Sequence, residues 1–128
     1  MQSGTLLLRQ VHPQWIKDGR ILSLAFRPFP KDQGLLSVYD GDRITARDSW
    51  LHFTQGQGFN SAGVWAVSVE ESEACDLSSR PDPLPGNPDH AVIDFTAHVR
   101  KQQETKAKIL SARAQERGCL FVSDSQGT

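Results

Sequence analysis

Cysteine is scarce in this chain of 128 residues: only Cys75 and Cys119 occur, far apart in the sequence. Neither belongs to a closely spaced set of cysteines and histidines of the kind that binds structural zinc, so we assign no metal site. The sequence also lacks the many cysteines of a disulfide-stapled secreted scaffold. We therefore expect two reduced thiols in a cytoplasmic protein.

Long apolar runs are missing as well. The run at residues 6–8 is too short for a signal peptide, and no positively charged segment precedes it. No stretch approaches the ~20 apolar residues that a membrane-spanning helix needs. We expect a cytoplasmic location and no membrane association.

A surplus of positive charge is absent too, because 14 lysines and arginines stand against 15 acidic residues, giving a formal net charge of -1. Strong general affinity for nucleic acid needs many cations that displace the counterions of the phosphates. Any contact with nucleic acid would therefore have to be local.

The sequence contains no G-x-S-x-G nucleophile motif, no phosphate-binding loop and no dinucleotide fingerprint. These absences argue against a hydrolase or a kinase. They also leave no cofactor to assign.

Short hydrophobic runs separated by turn residues predict several β-strands. We place strands at residues 6–11, 21–26, 35–39, 62–69, 90–95 and 119–122. Thr45 begins a capping-box pattern with Asp48 and predicts a mid-chain helix that continues through Phe53. Ser78 to Pro88 holds four of the seven prolines and predicts a long loop or lid.

Thr96 is a suitable cap for a long C-terminal helix over residues 98–117, which Gly118 would end. The pattern predicts one α+β domain at residues 1–122, with a mixed or antiparallel sheet of about five to six strands, a mid-chain helix and a long C-terminal helix. Residues 123–128 are predicted to form a disordered tail.

Cations on the first two predicted strands make the strongest candidate site. Arg9, His12 and Ser23 are the candidate catalytic residues, and Arg20 and Arg27 are candidate binding residues. Guanidinium groups bind phosphate or carboxylate through paired hydrogen bonds, and imidazole exchanges a proton near neutral pH. The alternative is that a strand arginine pairs with a neighbouring acid such as Asp18 or Asp40.

This half of the chain resembles the ADP-ribosyltransferase type of NAD-binding fold. In the resemblance, Arg9 or His12 takes the position of the first-strand cation and Ser23 that of the second-strand hydroxyl residue. The resemblance implies a split sheet that holds nicotinamide. Near the predicted strand at residues 90–95, where that family has a glutamate, this chain offers Asp89 and Asp94.

His90 and Asp94 are four residues apart on a predicted strand, and His98 follows them. Such a set could act as a proton relay or bind a metal, although a third metal ligand is not identified. The simpler interpretation is a structural or surface histidine. We likewise interpret the tryptophans, Phe53 and Phe59 as packing residues rather than a surface on which bases stack.

The C-terminal helix is rich in cations, among which Lys106, Lys108 and Arg113 are candidate binding residues. A solvated helix face explains this pattern, and a protein or nucleic-acid contact is the functional alternative. We favour a small interaction or regulatory module that binds a protein partner, for which a protein encoded in the same operon is a candidate, because the chain shows only fragments of a catalytic set. The alternative is an NAD- or nucleotide-binding enzyme, a transferase, that uses Arg9, His12 and Ser23.

Overall fold

A computed structural model describes residues 1–123 of the chain, which build an α+β fold around a six-stranded sheet. The strands are β1 (Leu6–Val11), β2 (Ile16–Lys17), β3 (Arg20–Ile21), β4 (Leu35–Asp40), β5 (Gly63–Ser68), β6 (Ser78–Pro81), β7 (His90–Asp94) and β8 (Phe121–Val122). The α-helices are α1 (Ala46–Leu51), α2 (Val69–Ala74) and α3 (Arg100–Arg117). Short 3-10 helices lie at Pro13–Trp15, Ser23–Phe26 and Pro30–Asp32, and a π-helix at His52–Gly56 extends α1.

The large sheet has the order β6-β7-β4-β1-β5-β8, and every neighbouring pair is antiparallel. The predicted α+β class, mid-chain helix and long C-terminal helix are confirmed. β2 and β3 form a separate two-stranded hairpin.

The larger core lies on the face of the sheet that α3 covers. The α3 residues Ala107, Leu110 and Ala114 are fully buried there against strand residues such as Val67. Burial of one large aliphatic side chain contributes roughly 1.5–3 kcal/mol. The thin apolar stripe of α3 is therefore sufficient to hold this helix on the sheet.

A smaller core lies on the opposite face, beneath α1 and the π-helix. Leu8, Val64 and Ala66 are buried there, and Trp50 and Phe53 pack against them from the helical side. The helical segment thus covers only part of this face.

The predicted strand at residues 21–26 is wrong. Only Arg20 and Ile21 pair as a strand, and the remainder turns into the 3-10 helix at Ser23–Phe26. Ala25 and Phe26 are buried because this short helix packs against α3. Its apolar residues are therefore buried beneath a helix and not within a sheet.

The predicted loop at residues 78–88 and the predicted cap of the last helix also need correction. Ser78–Pro81 pairs with β7 as the edge strand β6, an edge being where proline is tolerated. Thr96 donates its backbone N–H to Asp94, whereas the residue that precedes α3 is Val99, without a side-chain cap. The backbone N–H of Ser123 donates to Ala62, and the rest of the predicted tail, residues 124–128, lies outside the described residues.

Candidate functional site

A cleft opens where β1 and β4 separate. The ladder between them consists of the pairs Leu7 with Asp40 and Leu8 with Tyr39, whereas β1 pairs with β5 along its whole length. Two adjoining hollows, of about 380 and 220 Å³, lie beside the end of this short ladder. Both are lined by Arg9, Gln10, Ser37, Phe53 and Phe59. We call them together the split-sheet cleft.

Arg9 bridges the two separating strands. Its Nε donates to the carbonyl oxygen of Ala25 at 2.7 Å and its Nη1 donates to that of Ser37 at 2.9 Å. Burial lowers the pKa of Arg9 to about 10, although the Asp32 carboxylate opposes this shift, so the group stays charged at neutral pH. The main visible role of Arg9 is thus to join β1 to β4 while lining the cleft.

The larger hollow, which we call the aromatic lobe, has aromatic walls. Trp15 lies between His12 and Phe29, with ring centroids 5.8 Å from each. On the other side, the rings of Phe53 and Phe59 are 5.1 Å apart. The polar and charged residues that complete the lobe include His12, Lys31, Asp32 and Asn60.

His12 lies in this lobe, as the sequence-based hypothesis requires of a site residue. Its Nδ1 accepts the backbone N–H of Gln14 at 3.0 Å, which fixes the ring at the start of a 3-10 helix. With Nδ1 used as an acceptor, Nε2 is the nitrogen that carries the proton in the neutral ring.

The smaller hollow, which we call the serine lobe, contains a chain of hydrogen bonds across three strands. Nε2 of His90 lies 3.0 Å from the Ser37 hydroxyl. Nδ1 of His90 lies 2.8 Å from the backbone oxygen of Asp82 and 3.2 Å from its carboxylate. Because both groups beside Nδ1 are acceptors, Nδ1 carries the proton of the neutral imidazole and Nε2 accepts the Ser37 hydroxyl proton.

A second histidine bridge involves Tyr39, which lines this lobe. The Tyr39 hydroxyl is 2.7 Å from Nδ1 of His52, and Nε2 of His52 is 2.7 Å from the carbonyl oxygen of Gly86. Since a carbonyl only accepts, Nε2 is the donor and the Tyr39 hydroxyl donates to Nδ1. Burial raises the pKa of Tyr39 to about 12, so the hydroxyl keeps its proton at neutral pH.

The chain was also compared with known proteins. No protein-family model, curated protein or solved structure matches it. The functional assignment therefore depends on the geometry of its own residues.

Ser23 does not belong to the cleft. It lies in a 3-10 helix and lines a shallow depression of about 200 Å³ together with Arg20 and Lys108. Two predicted binding residues thus surround the predicted catalytic serine, but Arg9 and His12 line a different hollow. The second-strand position that the ADP-ribosyltransferase resemblance implies for Ser23 is therefore wrong.

Three other predicted binding residues make contacts within the protein. Arg27 forms an ion pair with Glu104 at 3.8 Å, and its Nε is buried without a hydrogen-bond partner among the described residues. Lys106 donates to the carbonyl oxygen of Cys75 at 2.6 Å, and Arg113 pairs with Glu116 at 2.8 Å. Each therefore supports the packing or surface of α3.

His90 and Asp94, which the sequence analysis groups as a possible relay or metal site, bind different partners. His90 contacts Asp82, whereas Asp94 accepts hydrogen bonds from Thr96 and Arg80. Within residues 1–123, no group of three or more histidine, cysteine or acidic side chains has the geometry to hold a metal ion. The helices of that same stretch include none that is long and apolar enough to span a membrane.

Sequence reasoning missed Ser37 and Asp82, and it interpreted Phe53 and Phe59 only as packing residues. Ser37 and His90 meet because Tyr39 pairs with His90 in the antiparallel register, which brings Ser37 diagonally opposite the histidine. No local motif encodes this meeting. The only signal in the sequence was a lone serine within an apolar strand.

Proposed function

We propose that the protein binds a nucleotide-class ligand in the split-sheet cleft. The observation that carries this proposal is the aromatic lobe, where Trp15, Phe29, Phe53 and Phe59 surround a hollow that also contains cationic groups. Aromatic side chains stack on planar bases, and each such stack contributes about 1–3 kcal/mol. The hollow of about 380 Å³ lies within the usual size range of small-molecule sites.

Charge and polarity in the lobe favour a ligand with an anionic part beside its ring. Lys31 is exposed at the lobe and supplies an ammonium group, and His12 supplies an N–H donor. The lobe also contains the Asp32 carboxylate, which accepts the backbone N–H of Phe29 at 2.7 Å. Asn60 adds an amide group of the kind that recognises the edge of a base, whereas the buried Gln10 carboxamide is already bonded to Ser49 and Ser61. A base with an attached phosphate matches both the apolar walls and the cation.

The test compares AMP, adenosine and NAD as probes in calorimetric titrations of the full chain. Phe59 is 57% exposed, so Phe59→Ala removes a stacking ring without opening a core, and we expect about tenfold weaker binding of all three probes. Ile109→Ala, an exposed apolar residue on α3, is the matched control and should leave the affinity unchanged.

Lys31→Ala separates phosphate recognition from base recognition. We expect it to weaken AMP binding several-fold and to leave adenosine binding unchanged, while Lys101→Ala on α3 changes neither. If folded wild-type protein binds none of the three probes at about 1 mM, where even weak specific binding is detectable, the proposal is wrong.

A second candidate function is docking of a protein partner on α3. Val99 and Ile109 are 68% and 43% exposed, and they border an open depression that Lys101 also lines. The lining of this depression includes Lys101 and Lys106 beside one acid, Asp76, so its exposed apolar residues and its two lysines suit an amphipathic segment of a partner that carries acidic groups. A partner of this kind is consistent with the interaction module that the sequence analysis favours.

The charge-reversal experiment must avoid Lys106 and Arg113, whose internal contacts it would break. Lys101→Glu combined with Lys108→Glu changes exposed cations only. We expect the double variant to lose a stoichiometric protein partner that wild type retains from native extract, with Arg47→Glu on α1 as the control. Retention of nucleic acid alone, or a partner that survives the double reversal, would contradict this second candidate.

A further inference from the structure

The hydrogen-bonded chain in the serine lobe has the arrangement of a nucleophile, a base and an orienting acid, which are Ser37, His90 and Asp82 respectively. They come from β4, from β7 and from the residue that follows β6, so antiparallel pairing holds the backbones of Ser37 and His90 and ends one residue before Asp82. The backbone N–H of Asp82 also donates to the carbonyl oxygen of His90 at 2.9 Å. The set is therefore built on the sheet itself and not on a free loop.

The hydrogen-bond directions suit proton removal from Ser37. Nδ1 of His90 donates towards Asp82, which leaves the lone pair of Nε2 directed at the Ser37 hydroxyl at 3.0 Å. A serine becomes nucleophilic when such a base takes its proton, and a carboxylate beside the base stabilises the imidazolium that forms.

The three residues differ in their exposure to solvent, as a serine nucleophile and its base require. Ser37 is exposed and lines both lobes of the cleft, and its hydroxyl meets His90 in the serine lobe, which adjoins the aromatic lobe. The His90 side chain is only 9% exposed, so protein surrounds most of the imidazole, and its remaining edge faces the serine lobe, from which water can reach it. Asn87 lines the serine lobe as well, and its carboxamide is a donor of the type that stabilises an oxyanion.

We propose that Ser37 and His90 are catalytic residues that hydrolyse a carboxylic ester of a ligand held in the split-sheet cleft, with Asp82 as a positioning residue. The ring-bearing part of the ester is the ligand class of the proposed function, on which the substrate assignment rests. The reactive serine itself does not depend on that assignment. It also runs against the sequence-based expectation that excluded a hydrolase, because strand register, and not a G-x-S-x-G motif, brings Ser37 and His90 together.

The reaction proceeds in two balanced steps. The Ser37 oxygen attacks the ester carbonyl carbon while its proton passes to Nε2 of His90. The ester C–O bond then breaks, and His90 returns the proton to the departing alcohol. Water attacks the acyl-serine with His90 again as base, which releases the carboxylic acid and restores the Ser37 hydroxyl.

The test uses an alkyl fluorophosphonate, which needs no ring ligand. The Ser37 oxygen displaces fluoride from phosphorus and gains a stable phosphonyl group, which mass spectrometry of the intact protein and of its peptides locates. We expect one adduct, on Ser37, and its loss in Ser37→Ala. Ser78→Ala, which removes an exposed serine from β6 of the same sheet, is the matched control and should label like wild type.

Two further variants separate chemistry from structure, with circular dichroism confirming their folding. We expect His90→Gln to slow labelling by about a hundredfold or more, in the range of general-base effects. Asp82→Asn should slow it less, by about tenfold, because the Asp82 backbone oxygen still holds Nδ1. Since Asp82 is half-exposed, this second variant remains informative if His90→Gln does not fold.

The labelling experiment tests the reactive serine separately from the nucleotide-binding proposal. His90-dependent labelling of Ser37 supports the reactive serine even if AMP and NAD do not bind, and hydrolysis of a simple nitrophenyl ester should follow the same variants. Absence of labelling in folded wild type, or labelling spread equally over Ser78 and other serines, would overturn the proposal whatever the nucleotide titrations show.

Discussion

Arg9 illustrates how a residue with catalytic chemistry can serve the fold. Its guanidinium donates to the carbonyl oxygens of Ala25 and Ser37 and lies 5.4 Å from the centre of the Trp15 ring. Sequence reasoning identified the cation and its strand correctly. It did not identify its partners, because they are backbone carbonyls and not the acids Asp18 or Asp40.

Arg9→Ala should therefore destabilise the protein. Hydrogen bonds from charged groups contribute about 1.5–3 kcal/mol, so we expect the free energy of unfolding to fall by about 2 kcal/mol in urea titrations. Arg20→Ala, at an exposed position on β3, should change it by less than about 0.5 kcal/mol. Equal stability of Arg9→Ala and wild type would show that the two bonds contribute nothing.

Tyr39 allows a direct measurement, because it is the only tyrosine in the chain. Burial raises its pKa to about 12, so tyrosinate absorbance of the folded protein should appear about two pH units later than in urea, where the ordinary value of about 10 applies. Because the folded pKa of this acid is raised, its contribution to stability is present below about pH 10 and is lost as the pH rises towards 12. Coincident titrations of folded and unfolded protein would contradict this prediction.

At the scale of elements, the predictable strands are those whose own sequence alternates or clusters apolar residues. β1, β4, β5 and β7 were predicted within about two residues of their observed ends, and α3 likewise. The segment around Ser23–Phe26 was wrongly predicted as a strand. A segment buried beneath a helix and a strand buried in a sheet can have the same run of apolar residues, so the sequence pattern does not distinguish them. β6 was missed because proline and polar residues are compatible with an edge strand.

The site was less predictable than the strands for a related reason. His12 and Arg9 lie close in sequence and reach the same cleft, so local reasoning found them together. Ser37, Asp82 and His90 are joined only by strand register, which depends on the whole sheet. A single sequence contains no local signal for that register.

Helix α3 is fastened at its C-terminal end by Arg117. Its Nη1 donates to the Glu71 carboxylate at 2.7 Å and to the carbonyl oxygen of Ala66 at 3.0 Å. Burial alone would raise the pKa of Glu71, but hydrogen bonds from Arg117 and from the Ser68 backbone outweigh it and place the pKa below its ordinary value. The carboxylate thus also completes the capping box of α2.

Glu71→Gln should cost stability in a pH-dependent way. A depressed carboxyl pKa adds stability that is present above the unfolded value and is lost as the pH falls through the folded value. We expect a loss of about 1 kcal/mol in the free energy of unfolding at about pH 7, and we expect this loss to shrink as the pH is lowered through the titration of Glu71, measured by urea titration. Glu70→Gln, at an exposed position on α2, should show no such dependence, and a pH-independent loss in Glu71→Gln would contradict the ion-pair explanation.

At the scale of the whole molecule, two cores share one sheet. Trp65 belongs to the core beneath α3 and Trp50 packs against the smaller core on the other face. We expect the chain to unfold as one cooperative unit, as a single domain should. Variants that retain only Trp50 or only Trp65 should give coincident fluorescence and circular dichroism transitions in urea. A fluorescence transition of Trp50 at lower urea concentration would show that the smaller core unfolds before the larger one.

The short ladder between β1 and β4 has one further consequence. It joins a three-stranded half, β6-β7-β4, to another, β1-β5-β8, through the pairs Leu7 with Asp40 and Leu8 with Tyr39. A substitution inside one half therefore seldom requires a compensating substitution in the other half. Among diverged relatives, covariation across the sheet should concentrate at those two pairs and at Arg9 with its partners, and the halves should otherwise change independently.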